Sequence, residues 1–254
     1  MRDPGGGPDH AVVGYIRSGF WGCKRRCGKE SADFQDWSCG GFSSGPRWRS
    51  MAGMPQPVLL RDVAIYPELL DRAEQERLVE DLRACLAQAS LVTPVTPRGH
   101  KMSVAMSAAG RFGWVTDRKG YRYEDRHPSG TAWPPIPERV LAVWDAVSGS
   151  TRRPECCLIN WYAEGAKMGL HQDRDEADFN EPVVSISLGD DALFRIGNET
   201  RGGKTESIWL RSGDVAVMGG AARLRYHGID RIRPGSSTLL PKGGRINLTL
   251  RVVT

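Results

Sequence analysis

The sequence predicts an α+β fold, with helical segments early and a long run of short strands late. Three observations carry this. Apolar residues recur at helical spacing across residues 71–89. From Cys156 onward, apolar runs of five to eight residues are punctuated by Gly, Asp and Pro. Helices and strands do not alternate regularly, which argues against a doubly wound parallel sheet. With 254 residues, 40% of them hydrophobic, the chain has enough apolar material for a self-standing core.

In chain order, residues 1–50 come first, with ten glycines and no sustained periodicity. They read as a weakly ordered glycine-rich extension. Cys23, Cys27 and Cys39 are spaced somewhat like metal ligands, but a structural zinc site takes four ligands and no fourth is evident. The alternative is a chain that truly begins at Met51 or Met54. Ordered structure is expected from Val58 onward, so the predicted domain spans residues 58–254. In DRAEQERLVEDLRACLAQA, Asp71 is placed as an N-cap with Glu74 three residues on. Leu78, Leu82, Cys85 and Leu86 then share one face of an amphipathic helix. HKMSVAMSAAGRFGW reads as strand and loop, and RKGYRY continues in that manner. A second helix is expected over Glu138–Val147, after WPPIP. The strands that follow are CCLINWYA, PVVSISL, ALFRIG, ESIWL, DVAVMG, RLRYHGI and RINLTLRV. So many short strands point to a sandwich or barrel.

A formal charge of +5 permits contact with nucleic acid without requiring it. No apolar run approaches bilayer length, and MRDPGGGPDH lacks the basic start of a secretory signal. The expectation is a cytoplasmic monomer with no membrane partner and reduced cysteines. No glycine-rich phosphate loop followed by Lys-Ser or Lys-Thr is present.

The chemistry begins with HQDRDE, His171 to Glu176. In extended chain, residues i and i+2 face one side, so His171 and Asp173 can meet one cation. His227 on a later strand is the natural third ligand. Two histidines and one carboxylate with open positions suit non-haem Fe(II) oxygenases. The motif alone is weak, and a solvated charged loop accounts for these six residues equally well. In RINLTLRV, Arg245, Asn247, Thr249 and Arg251 share one face, and Ile246, Leu248, Leu250 and Val252 the other. Either this is an ordinary half-exposed strand, or the polar face lines a barrel interior with two arginines aimed at an anionic ligand. Asn160 and Tyr162 alternate in the same way and could add neutral hydrogen bonds. Cys156 and Cys157, just ahead, read as buried thiols.

LINWYAEGAKMGLHQDRDE, VVSISLGDDALFRIGN, RLRYHGI and RINLTLR, in this order, resemble the AlkB family of Fe(II)- and 2-oxoglutarate-dependent dioxygenases, which reverse alkylation damage in nucleic acids. The resemblance reaches upstream to KMSVAMSAAGRFGW and GYRY and covers about residues 58–254. It implies a double-stranded β-helix (jelly-roll) core with N-terminal helices and a substrate-binding strand and loop lid. It implies His171, Asp173 and His227 as iron ligands. Arg245 and Arg251 would meet the two carboxylates of 2-oxoglutarate, assisted by Asn160, Tyr162 and Asn247. Dioxygen would take the last open position. Trp114 would lie against the flipped base opposite the His171 ring, Tyr121 on the phosphate backbone and Met102 along the pocket. Asp175 would sit near the exocyclic amine and favour cationic bases, and Arg201 would lie on the substrate side. Gln172, Arg174 and Glu176 would remain the charged loop.

The implied reaction is oxidative demethylation of bases such as 1-methyladenine and 3-methylcytosine, with release of formaldehyde. The implied partner is alkylated DNA, preferably single-stranded. The same chemistry on alkylated RNA or protein is the alternative. A binding module without catalysis is disfavoured, because all three ligands and both arginines are present.

Overall fold

A computed structural model describes residues 54–254. The glycine-rich extension with its cysteines, and Met51, lie outside the described residues. The chain runs through strands β1 (Val58–Leu60) and β2 (Val63–Tyr66), helix α1 (Arg72–Gln88), and strands β3 (Val104–Gly110), β4 (Gly113–Asp117) and β5 (Gly120–Glu124). Helix α2 (Glu138–Val147) follows, then β6 (Cys156–Tyr162), β7 (Met168–His171), β8 (Val183–Gly189) and β9 (Asp191–Ile196). The chain ends with β10 (Glu206–Leu210), β11 (Val215–Met218), β12 (His227–Arg233) and β13 (Arg245–Arg251).

Both expected helices are present. Asp71 caps α1, its carboxylate accepting the Glu74 amide at 2.8 Å. Two expectations need correction. Five strands precede α2, so helices do not simply come first. The RLRYHGI segment becomes strand only at His227 and runs on to Arg233. Its first residues follow a 3-10 turn, where the Arg225 amide is taken by the Ala222 carbonyl rather than by a neighbouring strand.

The strands form two larger antiparallel sheets and a separate hairpin. One sheet has the order β1-β2-β11-β8-β13-β6-β3, the other β10-β9-β12-β7, and β4 pairs only with β5. The outer face of the seven-stranded sheet carries Cys157, Ile159, Val184, Ile186, Ile246, Leu248 and Leu250. These pack with Leu78 and Leu82 of α1 and Val140, Val143 and Trp144 of α2. Its inner face packs Val104, Met106, Leu158 and Tyr162 against Phe194, Ile196 and Ile229 of the smaller sheet. The polar residues of β13 therefore point between the sheets: Arg245 is fully buried and Arg251 nearly so. The half-exposed reading of this strand is thereby excluded.

The corner between β8 and β9 fixes where β13 begins. Gly189 adopts φ +89°, and a Cβ there would lie 2.5 Å from the Gly244 carbonyl. The next residue, Asp190, accepts the amides of Gly244 at 2.8 Å and Ser237 at 3.1 Å. That carboxylate thus holds the residue just before Arg245. No helix among the described residues is long and apolar enough to cross a membrane.

Leu248 is completely buried between the helices and the sheet. Leu248→Ala is expected to cost about 2–5 kcal/mol, from lost burial plus the cavity left behind, read as a lowered urea midpoint with unchanged slope.

Candidate active site

His171 ends β7, and His227, which begins β12, is its register partner across the antiparallel pair. Directly paired residues present their side chains on one face, and the two imidazoles lie 4.5 Å apart. Asp173 enters from just beyond β7. Its Oδ1 is 3.7 Å from His171 Nε2, and its Oδ2 is 3.8 Å from His227 Nε2. One ligand atom from each of the three lies within 4.8 Å of the others.

Tautomer and charge both suit a cation. Each Nδ1 faces a backbone carbonyl, Gly169 at 2.9 Å for His171 and Arg225 at 3.0 Å for His227. A carbonyl only accepts, so each Nδ1 carries the proton and each Nε2 keeps its lone pair for a metal. Burial, reinforced by the neighbouring His171, pushes His227 down to about 4, so its ring is neutral at neutral pH. Burial alone would raise the Asp173 pKa. The Arg251 guanidinium outweighs it and holds the carboxyl well below the usual range. Asp173 Oδ2 is buried without a hydrogen-bond partner, as an oxygen reserved for a metal would be. The donor set of two imidazoles and one carboxylate fits non-haem iron.

The two β13 arginines differ in kind. Arg251 is committed to neighbouring groups. Its Nη2 lies 2.8 Å from Asp173 Oδ1, its Nη1 donates to the Tyr123 hydroxyl at 3.1 Å, and its Nε lies 3.5 Å from Glu176 Oε1. Arg245 donates only to neutral oxygens: Ser187 Oγ at 2.7 Å, the Asp190 carbonyl at 3.2 Å and the Leu210 carbonyl at 3.3 Å. Its Nε has no partner, and among the described residues no carboxylate lies within ion-pair distance. Burial pushes its pKa down only to about 10, so it remains a cation. A buried guanidinium without a counter-ion is costly unless an anion arrives. Tyr162 and Asn247 line the same cavity. The Asn247 amide is held by Ser185 Oγ at 2.7 Å, while Asn160 Oδ1 is buried without a partner.

These groups line one cavity of about 380 Å³, together with Met102, Trp114, Tyr121 and Asp175. The Trp114 indole N–H donates to Asp175 Oδ2 at 2.8 Å, and the Tyr121 ring stacks on Trp114 at 5.5 Å. Asp175 thus sets the plane of the tryptophan that faces the cavity. Arg201 does not line it; its guanidinium stands 5.5 Å over the Tyr226 ring.

The charged-loop reading of the residues around the ligands holds only for Arg174, which is exposed. The Gln172 amide donates to the Glu199 carbonyl at 2.9 Å and to the Leu224 carbonyl. Glu176 is buried in an ion pair with Arg223 at 3.0 Å and accepts the Tyr123 hydroxyl. Sequence reasoning missed Tyr123, Ser187 and Arg223. Alternation in VVSISL could have placed Ser187 on the polar face, but nothing in local spacing marks Tyr123 or Arg223, whose partners lie far away in the chain.

The sequence profile of the 2OG-Fe(II) oxygenase superfamily matches residues 62–251. An alpha-ketoglutarate-dependent dioxygenase AlkB homolog of Caulobacter vibrioides is 53% identical over 188 residues, 74% of this chain and 86% of that protein. The alpha-ketoglutarate-dependent dioxygenase AlkB of Escherichia coli is 40% identical over 181 residues, 69% of this chain and 83% of its own. The solved structure of OsALKBH1 superposes with a TM-score of 0.65 at 29% identity, over 78% of this chain and all of that one.

Asp173→Ala is expected to abolish Mn(II) uptake measured by titration calorimetry. It also leaves Arg251 short of its closest counter-ion, at a cost of about 3 kcal/mol, read as a lower urea midpoint in metal-free buffer.

Proposed function

The chain belongs to the AlkB branch of the 2OG-Fe(II) oxygenase superfamily, and from that membership we propose that it removes N-alkyl groups oxidatively from bases in nucleic acid. It is an Fe(II)- and 2-oxoglutarate-dependent dioxygenase that also uses dioxygen. We read its two facing antiparallel sheets as a double-stranded β-helix, or jelly roll. One observation carries the assignment: the His171–Asp173–His227 cluster and the uncompensated Arg245 open into one cavity. A dicarboxylate cosubstrate with one end at a metal and the other at a buried cation fits that arrangement.

His171, Asp173 and His227 would hold the iron. Arg245, with the Tyr162 hydroxyl and the Asn160 and Asn247 amides, would bind a 2-oxoglutarate carboxylate through charge-assisted hydrogen bonds. Arg251 would serve the metal end, keeping Asp173 ionised and oriented beside the second carboxylate. When bound, iron supplies the oxidative chemistry by which 2-oxoglutarate becomes succinate and carbon dioxide and a hydroxylated N-methyl group leaves as formaldehyde. The protein residues position the reactants and keep bulk water away.

The target base must leave its stack to reach this cavity, which favours single-stranded DNA. Trp114 would pack on the base opposite His171, with Met102 beneath and Tyr121 toward the backbone. Asp175 has one oxygen on Trp114, leaving the other for an exocyclic amine, and its charge favours cationic lesions such as 1-methyladenine and 3-methylcytosine. Arg201 stands outside the cavity, so we assign it to the phosphates of the strand. Gln172 ties the loop carrying Arg201 to the metal-ligand segment through Glu199. One chain supplies the complete ligand set, and we take the enzyme to act as a cytoplasmic monomer. Alkylated RNA is the second reading, because Tyr121 and Arg201 would meet phosphates common to both polymers.

Methylated single-stranded DNA, Fe(II) and 2-oxoglutarate should yield succinate and formaldehyde, measured by mass spectrometry over matched DNA and RNA strands. His171→Ala should abolish both products. Consumption of 2-oxoglutarate with no change in any methylated oligonucleotide would sink the substrate assignment. Arg245→Gln should raise the KM for 2-oxoglutarate about 10- to 100-fold, the scale of a lost charged hydrogen bond, with Mn(II) affinity unchanged.

A further inference from the structure

We infer that Glu176 is a positioning residue that steadies Asp173 and, through Tyr123, latches the β4–β5 hairpin to the metal-ligand segment. This rests on the metal-site reading above and adds to it a pair of residues that touch neither metal nor cavity.

The hairpin needs such a tie. Its ladder is entirely internal, from Gly113↔Glu124 to Asp117↔Gly120, and it joins neither larger sheet. A two-stranded ribbon is marginal by itself in water. The Arg122 contacts with Asp117 and Glu124 stay within the hairpin. At its base the Trp133 indole donates to the Glu124 carbonyl at 2.9 Å. Trp114 and Tyr123 are directly opposed across the ladder and so share a face. Trp114 donates to Asp175 and Tyr123 to Glu176, two consecutive carboxylates that follow closely on Asp173.

Glu176 also reaches Asp173 from two sides. Its Oε2 takes Arg223 Nη2 at 3.0 Å, and Arg223 Nη1 donates to the Asp173 carbonyl. Its Oε1 faces Arg251 Nε at 3.5 Å, and Arg251 Nη2 holds the Asp173 carboxylate. Asp173 is thereby held by backbone and side chain through two arginines that share Glu176. Two carboxylates and two guanidiniums balance in a nearly dry network. Removing the Glu176 charge leaves surplus positive charge beside the cation site and frees both arginines to shift.

Two conservative variants separate the roles. Tyr123→Phe keeps the ring and deletes the hydroxyl. In metal-free protein, amide exchange across residues 113–124 should accelerate at least about tenfold, the scale of one lost buried hydrogen bond. Glu176→Gln keeps the shape and removes the charge. Its Mn(II) affinity should fall about 10- to 100-fold, as for groups that orient metal ligands, and further than that of Tyr123→Phe. Hairpin exchange equal to wild type in Tyr123→Phe overturns the latch. Mn(II) affinity unchanged in Glu176→Gln overturns the positioning role. Wild-type protein that takes up no Mn(II) would overturn the metal site and with it that role, while hairpin exchange still decides the latch.

Discussion

A carboxylate placed almost out of reach of water, between two imidazoles, is the constraint from which the rest of the site follows. Asp173 could not remain ionised there on desolvation grounds alone. Arg251 makes it possible, and Arg251 is itself nearly buried, so it needs further acceptors in turn. Tyr123 supplies an acceptor, Glu176 supplies countercharge across 3.5 Å, and Arg223 balances that second carboxylate. Each step satisfies the charge introduced by the one before, until the network closes. The result is a carboxylate with one oxygen occupied and the other unpartnered.

The same strand solves a different problem at its other end. Arg245 and Arg251 lie on one face of β13 by simple alternation, yet one is neutralised and the other is not. The Arg245 guanidinium has no carboxylate in direct contact and is held by three neutral oxygens that fix its orientation, with Asp214 and Asp191 acting only at longer range. In the proposed reading, a dicarboxylic cosubstrate would complete that end and the metal end together.

The hairpin forms one wall of this cavity, though it belongs to neither sheet. Its inner face is aromatic, with Trp114 and Tyr121 stacked on each other and Trp114 aligned by Asp175. Asp175 and Glu176, which accept from this hairpin, lie in the segment that carries His171 and Asp173, so the hairpin and the His–Asp–His cluster are mechanically continuous.

Much of this was legible in the chain. Asp71 and Glu74 mark a helix start through local hydrogen bonding. The alternation in RINLTLRV separates helix-facing from cavity-facing residues, and H-x-D with a later histidine points to the three side chains that the fold clusters. All of these depend on residues a few positions apart, or on one shared period. The sequence alone did not distinguish the two arginines, did not lift Gln172 and Glu176 out of a charged loop, and did not place Arg201 outside the cavity. Glu176 meets Arg223 across 47 residues of chain and Tyr123 across 53. Whether a carboxylate is solvated or buried in a balanced network depends on what distant strands bring beside it. Periodicity determined which way each side chain points; only the packing of two sheets and a hairpin decided what each one meets.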